Sequence, residues 1–281
     1  MRCAWNELLS ILPAWLRDCL HKNEEAYLQE IRLRLDKPVQ LVLNGHERWI
    51  ERGVSKTDMQ YIFNLASKYS PWAAGSVKEG YLTAQGGHRI GICGQCIVND
   101  SVMTGIREMT SMVIRIARDI ADIAPKIQDI RGSVLVLGPP GYGKTTLLRD
   151  LIRRISNEQT GSVTVVDERG ELFPVGCGYA TGSRTDIISG CSKSHGVLMA
   201  LRTTGPAWIA LDEITAKEDC EALQTALWCG VRLAATAHAS SVEDMLRKKV
   251  YSPLVSSGMF DTVLVLHKDK SWHMERMRGC T

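Results

Sequence analysis

The sequence predicts an α/β chain in two parts: a smaller α+β module over residues 1–125, then a domain over 126–281 with a mainly parallel sheet. Three observations carry this. The apolar run Val134-Leu135-Val136-Leu137 passes through a glycine-rich loop into a stretch where Leu147, Leu148, Leu151, Ile152 and Ile155 recur with helical period. From Ile130 onward, short apolar runs alternate with helical patterns, as parallel strands joined by crossover helices require. Before that point hairpin signals prevail. The length of 281 residues suits two domains of roughly 100–200 residues each.

In the first module, Trp5 to Leu20 is mostly helical, with Pro13 as a break, because proline removes a backbone donor and clashes with the preceding turn. Glu30 to Leu35 alternates, Pro38 intervenes, and Val39 to Leu43 is a second apolar run. Asn44-Gly45 is a two-residue hairpin turn signal. Lys56 to Tyr69 is helical, with Ile62, Phe63, Leu65 and Ala66 toward a buried side. Tyr81 to Val98 reads as a hairpin turning at Gly86-Gly87, so that Leu82 and Ala84 face Ile90 and Ile92. Met112 to Ala117 is a strand with Ile114 and Ile116 on one face and Val113 and Arg115 on the other. Asp119 to Asp129, containing Pro125, is the expected linker.

In the second domain, strands are expected at 134–137, 163–166, 207–211, 231–236 and 262–266. Capping-box spacing pairs Thr215 with Glu218 and Ser240 with Glu243, so a helix opens after each of two strands. The loops at strand C-termini are where open α/β sheets bind ligands.

The chemistry concentrates in those loops. Gly138-Pro139-Pro140-Gly141-Tyr142-Gly143-Lys144-Thr145 fits the P-loop pattern, and Thr146 follows it. Glycines let backbone N–H groups converge on phosphate oxygens, and the helix N-terminus favours anions. Lys144 reaches the β- and γ-phosphates of a bound nucleotide, and the Thr145 hydroxyl ligates Mg²⁺. Trp208-Ile209-Ala210-Leu211-Asp212-Glu213 is an apolar strand ending in two carboxylates, the form of a Walker B element. Asp212 is the expected Mg²⁺ ligand, since that ion takes hard oxygens. Glu213 is the expected base for an attacking water. Val166-Asp167-Glu168-Arg169-Gly170-Glu171 ends another strand as either a solvated turn or a second acidic wall, with Glu168 and Glu171 as candidate catalytic groups. Thr236-Ala237-His238 ends the next, with His238 placed either for a plain hydrogen bond or to sense a γ-phosphate.

Composition limits the alternatives. Apolar residues make up 44% of the chain, enough for true cores, and the net charge of +3 makes no argument for nucleic acid. No apolar run approaches the roughly 18 residues a membrane span needs, and Glu7, Arg17 and Asp18 interrupt any leader-like segment. Nine cysteines, scattered from Cys3 to Cys280, suit the reducing cytosol. Cys93-Gly94-Gln95-Cys96 lacks the further ligands zinc needs and reads as small residues packed in a strand.

The acidic strand end, the Asp-Glu pair and the Thr-Ala-His segment together resemble the secretion-ATPase branch of P-loop proteins, the type II and type IV system motors. A finer resemblance is to the stage III sporulation AA family. It rests on Glu30-Ile31-Arg32-Leu33-Arg34, Gly86-Gly87-His88-Arg89-Ile90-Gly91, Gly105-Ile106-Arg107 and Ile114-Arg115-Ile116-Ala117-Arg118. It continues through Val166 to Glu171, Gly182-Ser183-Arg184-Thr185-Asp186 and Ala235-Thr236-Ala237-His238. The resemblance implies a RecA-like ATPase domain, ATP and Mg²⁺ as ligands, and a homo-hexameric ring. It further implies a mother-cell location, peripheral to a membrane complex, where the protein energises the channel between mother cell and forespore and docks on its integral membrane components. In such motors arginines of the N-terminal module reach the phosphates; Arg89, Arg107 and Arg115 match by position. The chain departs from the secretion motors in having Asp212-Glu213 where Gly-Glu is usual. The acidic box does not decide between Glu168 and Glu171, so Glu213 is taken as base and both others as secondary. The competing reading is a nucleic-acid-dependent ATPase with Arg32, Arg34, Arg89, Arg115 and Arg118 as a basic stripe. Aromatic content of 6% offers few stacking platforms for it, so nucleic acid is not an expected partner.

Overall fold

The computed structural model describes residues 2–67, 80–99, 102–158, 161–174, 177–251, 254 and 257–277. The chain divides into two compact units, Met1–Asp119 with Pro174–Gly178, and Ile120–Phe173 with Tyr179–Thr281.

The first unit opens with β1 (Arg2–Cys3), α1 (Trp5–Ile11) and α2 (Ala14–Asp18), the two helices parted at Pro13. Then come β2 (Leu28–Arg34), β3 (Pro38–Leu43), β4 (His46–Gly53) and α3 (Lys56–Ala66). They are followed by β5 (Tyr81–Thr83), β6 (Arg89–Asn99), β7 (Val102–Arg115) and β8 (Arg118–Asp119). Six strands form an antiparallel sheet in the order β4-β3-β2-β7-β6-β5, and β1 pairs with β8. Asn44 and Gly45 turn the β3–β4 hairpin with φ of 46° and 86°, the left-handed values a tight two-residue turn demands. Ser55 caps α3: its Oγ accepts from Asp58 N at 3.1 Å, while Asp58 Oδ2 accepts from Ser55 N at 2.9 Å. Ile31, Leu33, Leu41, Ile90, Met112 and Ile114 pack against Leu8, Leu16, Met59 and Ile62 from the helices and Leu12 from the turn between α1 and α2. His88 is structural: its Nδ1 accepts from Ala117 N at 3.2 Å and its Nε2 bonds Ala4 O at 2.9 Å.

Several expectations need correction here. The strand expected at Met112 to Ala117 runs instead from Val102 to Arg115. Its first half pairs with β6 through three register shifts, and each shift breaks the alternation a periodicity reading relies on. Cys93 and Cys96 lie in β6 but are exposed rather than packed. The expected end of α3 at Tyr69 lies outside the described residues.

The second unit runs β9 (Val134–Leu137), α4 (Lys144–Glu158), β10 (Val163–Asp167), β11 (Thr185–Ser189) and α5 (Lys193–Thr203). It continues with β12 (Trp208–Leu211), α6 (Lys217–Trp228), β13 (Arg232–Ala237), α7 (Val242–Arg247), β14 (Thr262–Leu266) and β15 (Trp272–Arg276). The seven-stranded sheet has the order β11-β10-β12-β13-β9-β14-β15 and is parallel except for β15. β9, β10, β12 and β14 are buried along their whole length, as strands covered on both faces must be. β11 and β15 were not expected: both are edge strands whose polar and half-exposed residues carry no core signal.

Both capping boxes fall one residue later than their spacing suggested. Asp219 Oδ2, not Glu218, accepts from Thr215 N and Ala216 N at 3.1 Å each. Ser241 Oγ accepts from Asp244 N at 3.1 Å, and Asp244 Oδ2 from Ser240 N at 2.8 Å. The segment expected as a linker is held by α4: buried Asp150 accepts from Ile123 N and Ala124 N at 2.7 Å each and pairs with Arg153.

Candidate nucleotide site

Four strand ends of the second unit supply the site. The β9–α4 loop carries Gly138 to Gly143 and delivers Lys144 and Thr145 at the first turn of α4. Gly141 and Gly143 have φ of 79° and 98°, and a Cβ at either would meet nothing within 4 Å. Glycine is needed there for backbone conformation alone. Gly138 is different: a Cβ would sit 3.1 Å from Leu266 Cβ.

Lys144 is buried. Its Nζ donates to Pro139 O and to His238 Nδ1, both at 3.1 Å. An ammonium has only donors, so Nδ1 accepts; the ring proton then sits on Nε2 and is donated to Glu213 Oε1 at 2.9 Å. Burial pulls the Lys144 pKa below its ordinary value, and the Asp212 and Glu213 carboxylates partly oppose it.

The acidic pair is wired to the same loop. Thr145 Oγ1 donates to Asp212 Oδ2 at 2.6 Å, and Thr236 Oγ1 donates to Asp212 Oδ1 at 2.6 Å. The Thr236 oxygen also accepts from Glu213 N at 2.8 Å. Glu213 has φ of 56°, a left-handed conformation that costs a non-glycine residue about 1–3 kcal/mol and persists only where surroundings impose it. Here Thr236 imposes it twice, since its carbonyl also accepts from Ile214 N at 2.9 Å. His238 is held by residues the sequence reading missed: its N–H donates to the Tyr251 hydroxyl at 3.1 Å, and Lys248 Nζ donates to its carbonyl at 2.6 Å.

At the end of β10 the three carboxylates separate. Asp167 is buried and builds the loop, accepting from Glu171 N, Leu172 N and Phe173 N at 2.9–3.0 Å. Glu168 Oε2 pairs with Lys193 Nζ at 2.7 Å. Glu168 and Glu171 both line a cavity with Asp212 and Glu213. The second unit thus gathers Lys144, Thr145, Asp212, Glu213, His238 and Glu168, with Thr146 in the first turn of α4. Arg107 and Arg115 stand exposed on β7 of the first unit, Arg115 Nε 3.6 Å from Glu30 Oε1. Arg89 lies on β6 with its guanidinium 4.0 Å from the Tyr81 ring centre. Among the described residues there is no cluster of three or more metal-ligating His, Cys, Asp or Glu.

The profile of the family described as "Sporulation stage III, protein AA" matches residues 4–279. The chain belongs to that family. A curated member, stage III sporulation protein AA of Bacillus subtilis (strain 168), is 33% identical over 283 residues, which span 94% of this chain and 92% of the relative. Among solved structures, the ATPase DotB of Legionella pneumophila superposes with a TM-score of 0.59 at 18% identity, covering 94% of this chain and 80% of DotB. The pilus retraction motor PilT with bound ADP superposes at 0.62 and 15% identity, covering 90% of this chain and 79% of PilT. At those identities the likeness is one of fold: the family member described here has a RecA-like α/β domain with a mostly parallel sheet, preceded by an α+β unit with an antiparallel sheet.

Proposed function

We propose that this sporulation-family chain binds ATP with Mg²⁺, hydrolyses it, and works as a secretion-type motor at the channel between mother cell and forespore. The observation that carries the reading is the continuous hydrogen-bonded path from the phosphate loop through Thr145, Asp212 and Thr236 to Glu213, and from Glu213 through His238 back to Lys144.

The residues suit their parts. A hydroxyl and a carboxylate 2.6 Å apart, Thr145 and Asp212, form a hard-oxygen pair of the kind Mg²⁺ takes. The ion, when bound, neutralises charge on the β- and γ-phosphates. Backbone N–H groups from Gly141 to Thr146 hold phosphate oxygens, Pro139 and Pro140 having none to give, and Lys144 holds the β- and γ-phosphates. Glu213 orients the attacking water and takes its proton as the water oxygen bonds to Pγ. The bond from Pγ to the β,γ-bridging oxygen breaks and ADP leaves. His238 keeps the Glu213 carboxylate in place. Arg107 and Arg115 act on the phosphates of a neighbouring subunit in a homo-hexamer. No helix among the described residues is long and apolar enough to cross a membrane. The proposed attachment is to integral membrane components of the channel.

Phosphate release by the purified protein, with ATP and Mg²⁺, tests the reading beside Lys144→Ala. The wild type turns over and the variant does not. Mass measurement with and without nucleotide shows an oligomer. A strictly monomeric protein whose phosphate release equals that of the variant overturns the proposal.

A further inference from the structure

Lys193 is placed against its own electrostatics. It is the first residue of α5, an 11-residue helix, and helix N-termini disfavour cations. Its side chain is only 10% exposed, and taking an ammonium out of water is costly unless a partner compensates. The compensation is Glu168, whose Oε2 receives Lys193 Nζ at 2.7 Å. Such a pair is weak evidence of stabilisation, because apolar residues of the same size often serve as well. Its location offers the better explanation.

The local backbone is shaped to deliver this pair. One turn along α5, a Cβ on Gly196 would lie 2.5 Å from Val166 Cγ1 and 3.2 Å from Cys191 Sγ. The missing side chain therefore lets α5 approach β10 closely, and that approach brings Lys193 to the residue just past the end of β10. The pair then lines a cavity of about 30 Å³ together with Glu171, Asp212, Glu213 and Thr215. That is room for two or three waters, at roughly 10–15 Å³ each. Of the two pair-held carboxylates on this cavity, Glu168 is tied to an ammonium and Glu213 to His238.

We propose that Lys193 is a positioning residue of the hydrolytic site, acting through Glu168. The ammonium fixes and balances the Glu168 carboxylate in the cavity wall. This takes Glu168 out of competition with Glu213 for the water's proton and lowers like-charge repulsion beside an anionic substrate. The inference rests on the ATPase reading above and adds a residue to it.

Steady-state ATP hydrolysis of the full chain tests it with Lys193→Met, Lys193→Arg, Glu168→Gln and the Lys193→Met/Glu168→Gln double variant. Nucleotide affinity is measured in parallel, and Lys144→Ala serves as the inactive reference. Lys193→Met lowers kcat roughly 10–100-fold, the scale of a misplaced catalytic group, with ATP affinity within about threefold of wild type. Lys193→Arg keeps the charge and recovers most of the rate. The double variant is no slower than the slower single variant, because both changes remove one interaction. A Lys193→Met kcat within about twofold of wild type overturns the proposal, as do losses that multiply in the double variant. Should Lys193→Met fail to fold, a Lys193→Arg rate equal to the Lys144→Ala background overturns it too. Either result, with wild-type turnover intact, leaves the ATPase reading standing. A wild type no faster than Lys144→Ala overturns both.

Discussion

A single hydroxyl, Thr236 Oγ1, joins the two carboxylates of the acidic pair, donating to Asp212 and accepting from the Glu213 amide. Replacing it with the isosteric valine strands a part-buried N–H and half of the hydrogen-bond partners of the Asp212 carboxylate. Thr236→Val is therefore expected to lose about 1–3 kcal/mol of stability, read as a lower midpoint in thermal unfolding, while Thr236→Ser stays near wild type. A Thr236→Val midpoint equal to wild type contradicts this account of the strained Glu213 backbone. At this scale legibility depended on spacing. Lys144 and Thr145 follow a fixed pattern of glycines, and Asp212 and Glu213 end an apolar run, so their residue types and local sequence announce them. Thr236 sits in the Thr-Ala-His segment, but its hydroxyl's partners lie on the neighbouring strand, and Lys193 and Tyr251 are ordinary residues that no local pattern marks. Strand order brings Thr236 to Glu213, the packing of α5 on β10 brings Lys193 to Glu168, and the turn at Lys249–Tyr251 brings Tyr251 to His238.

Among the elements, the β3–β4 hairpin gives the cleanest test of a backbone requirement. Gly45 holds φ of 86°, yet a Cβ there meets nothing within 4 Å. Gly45→Ala thus costs conformation only, about 1–2 kcal/mol, measurable by denaturant unfolding. Helix α4 gives a pH-dependent one. Burial pushes the Asp150 carboxyl up, but Arg153 and the Ala124 and Ile123 amides outweigh it and hold the pKa below the ordinary range. A depressed folded pKa stabilises fully above the unfolded value, about 3.9, and the contribution fades as pH falls below it. Asp150→Asn should lower stability at pH 6 and flatten its fall below about pH 4. An unchanged slope in acid would show that Asp150 does not anchor residues 120–124. The buried strands and helices α3, α4 and α6 were legible because burial imposes period and composition, whereas α5 (Lys193–Thr203) was not expected. The edge strands β11 and β15 and the first half of β7 were not, because half-exposed and register-shifted strands carry neither. The caps of α6 and α7 shifted by one residue because aspartate at the next position reaches the same amides.

For the molecule as a whole, the two fold types were readable from the change of pattern near residue 130, and family membership follows from a match along nearly the full length. Residues 174–178, which belong to the first compact unit although flanked by the second, had no signature in the sequence. The central claim is that this fold hydrolyses ATP with Glu213 as the base. The most direct measurement is phosphate release by Glu213→Gln beside its ATP affinity. The account predicts affinity near wild type and turnover down by roughly 10²–10⁴-fold. A Glu213→Gln protein that binds ATP and releases phosphate at the wild-type rate would contradict it.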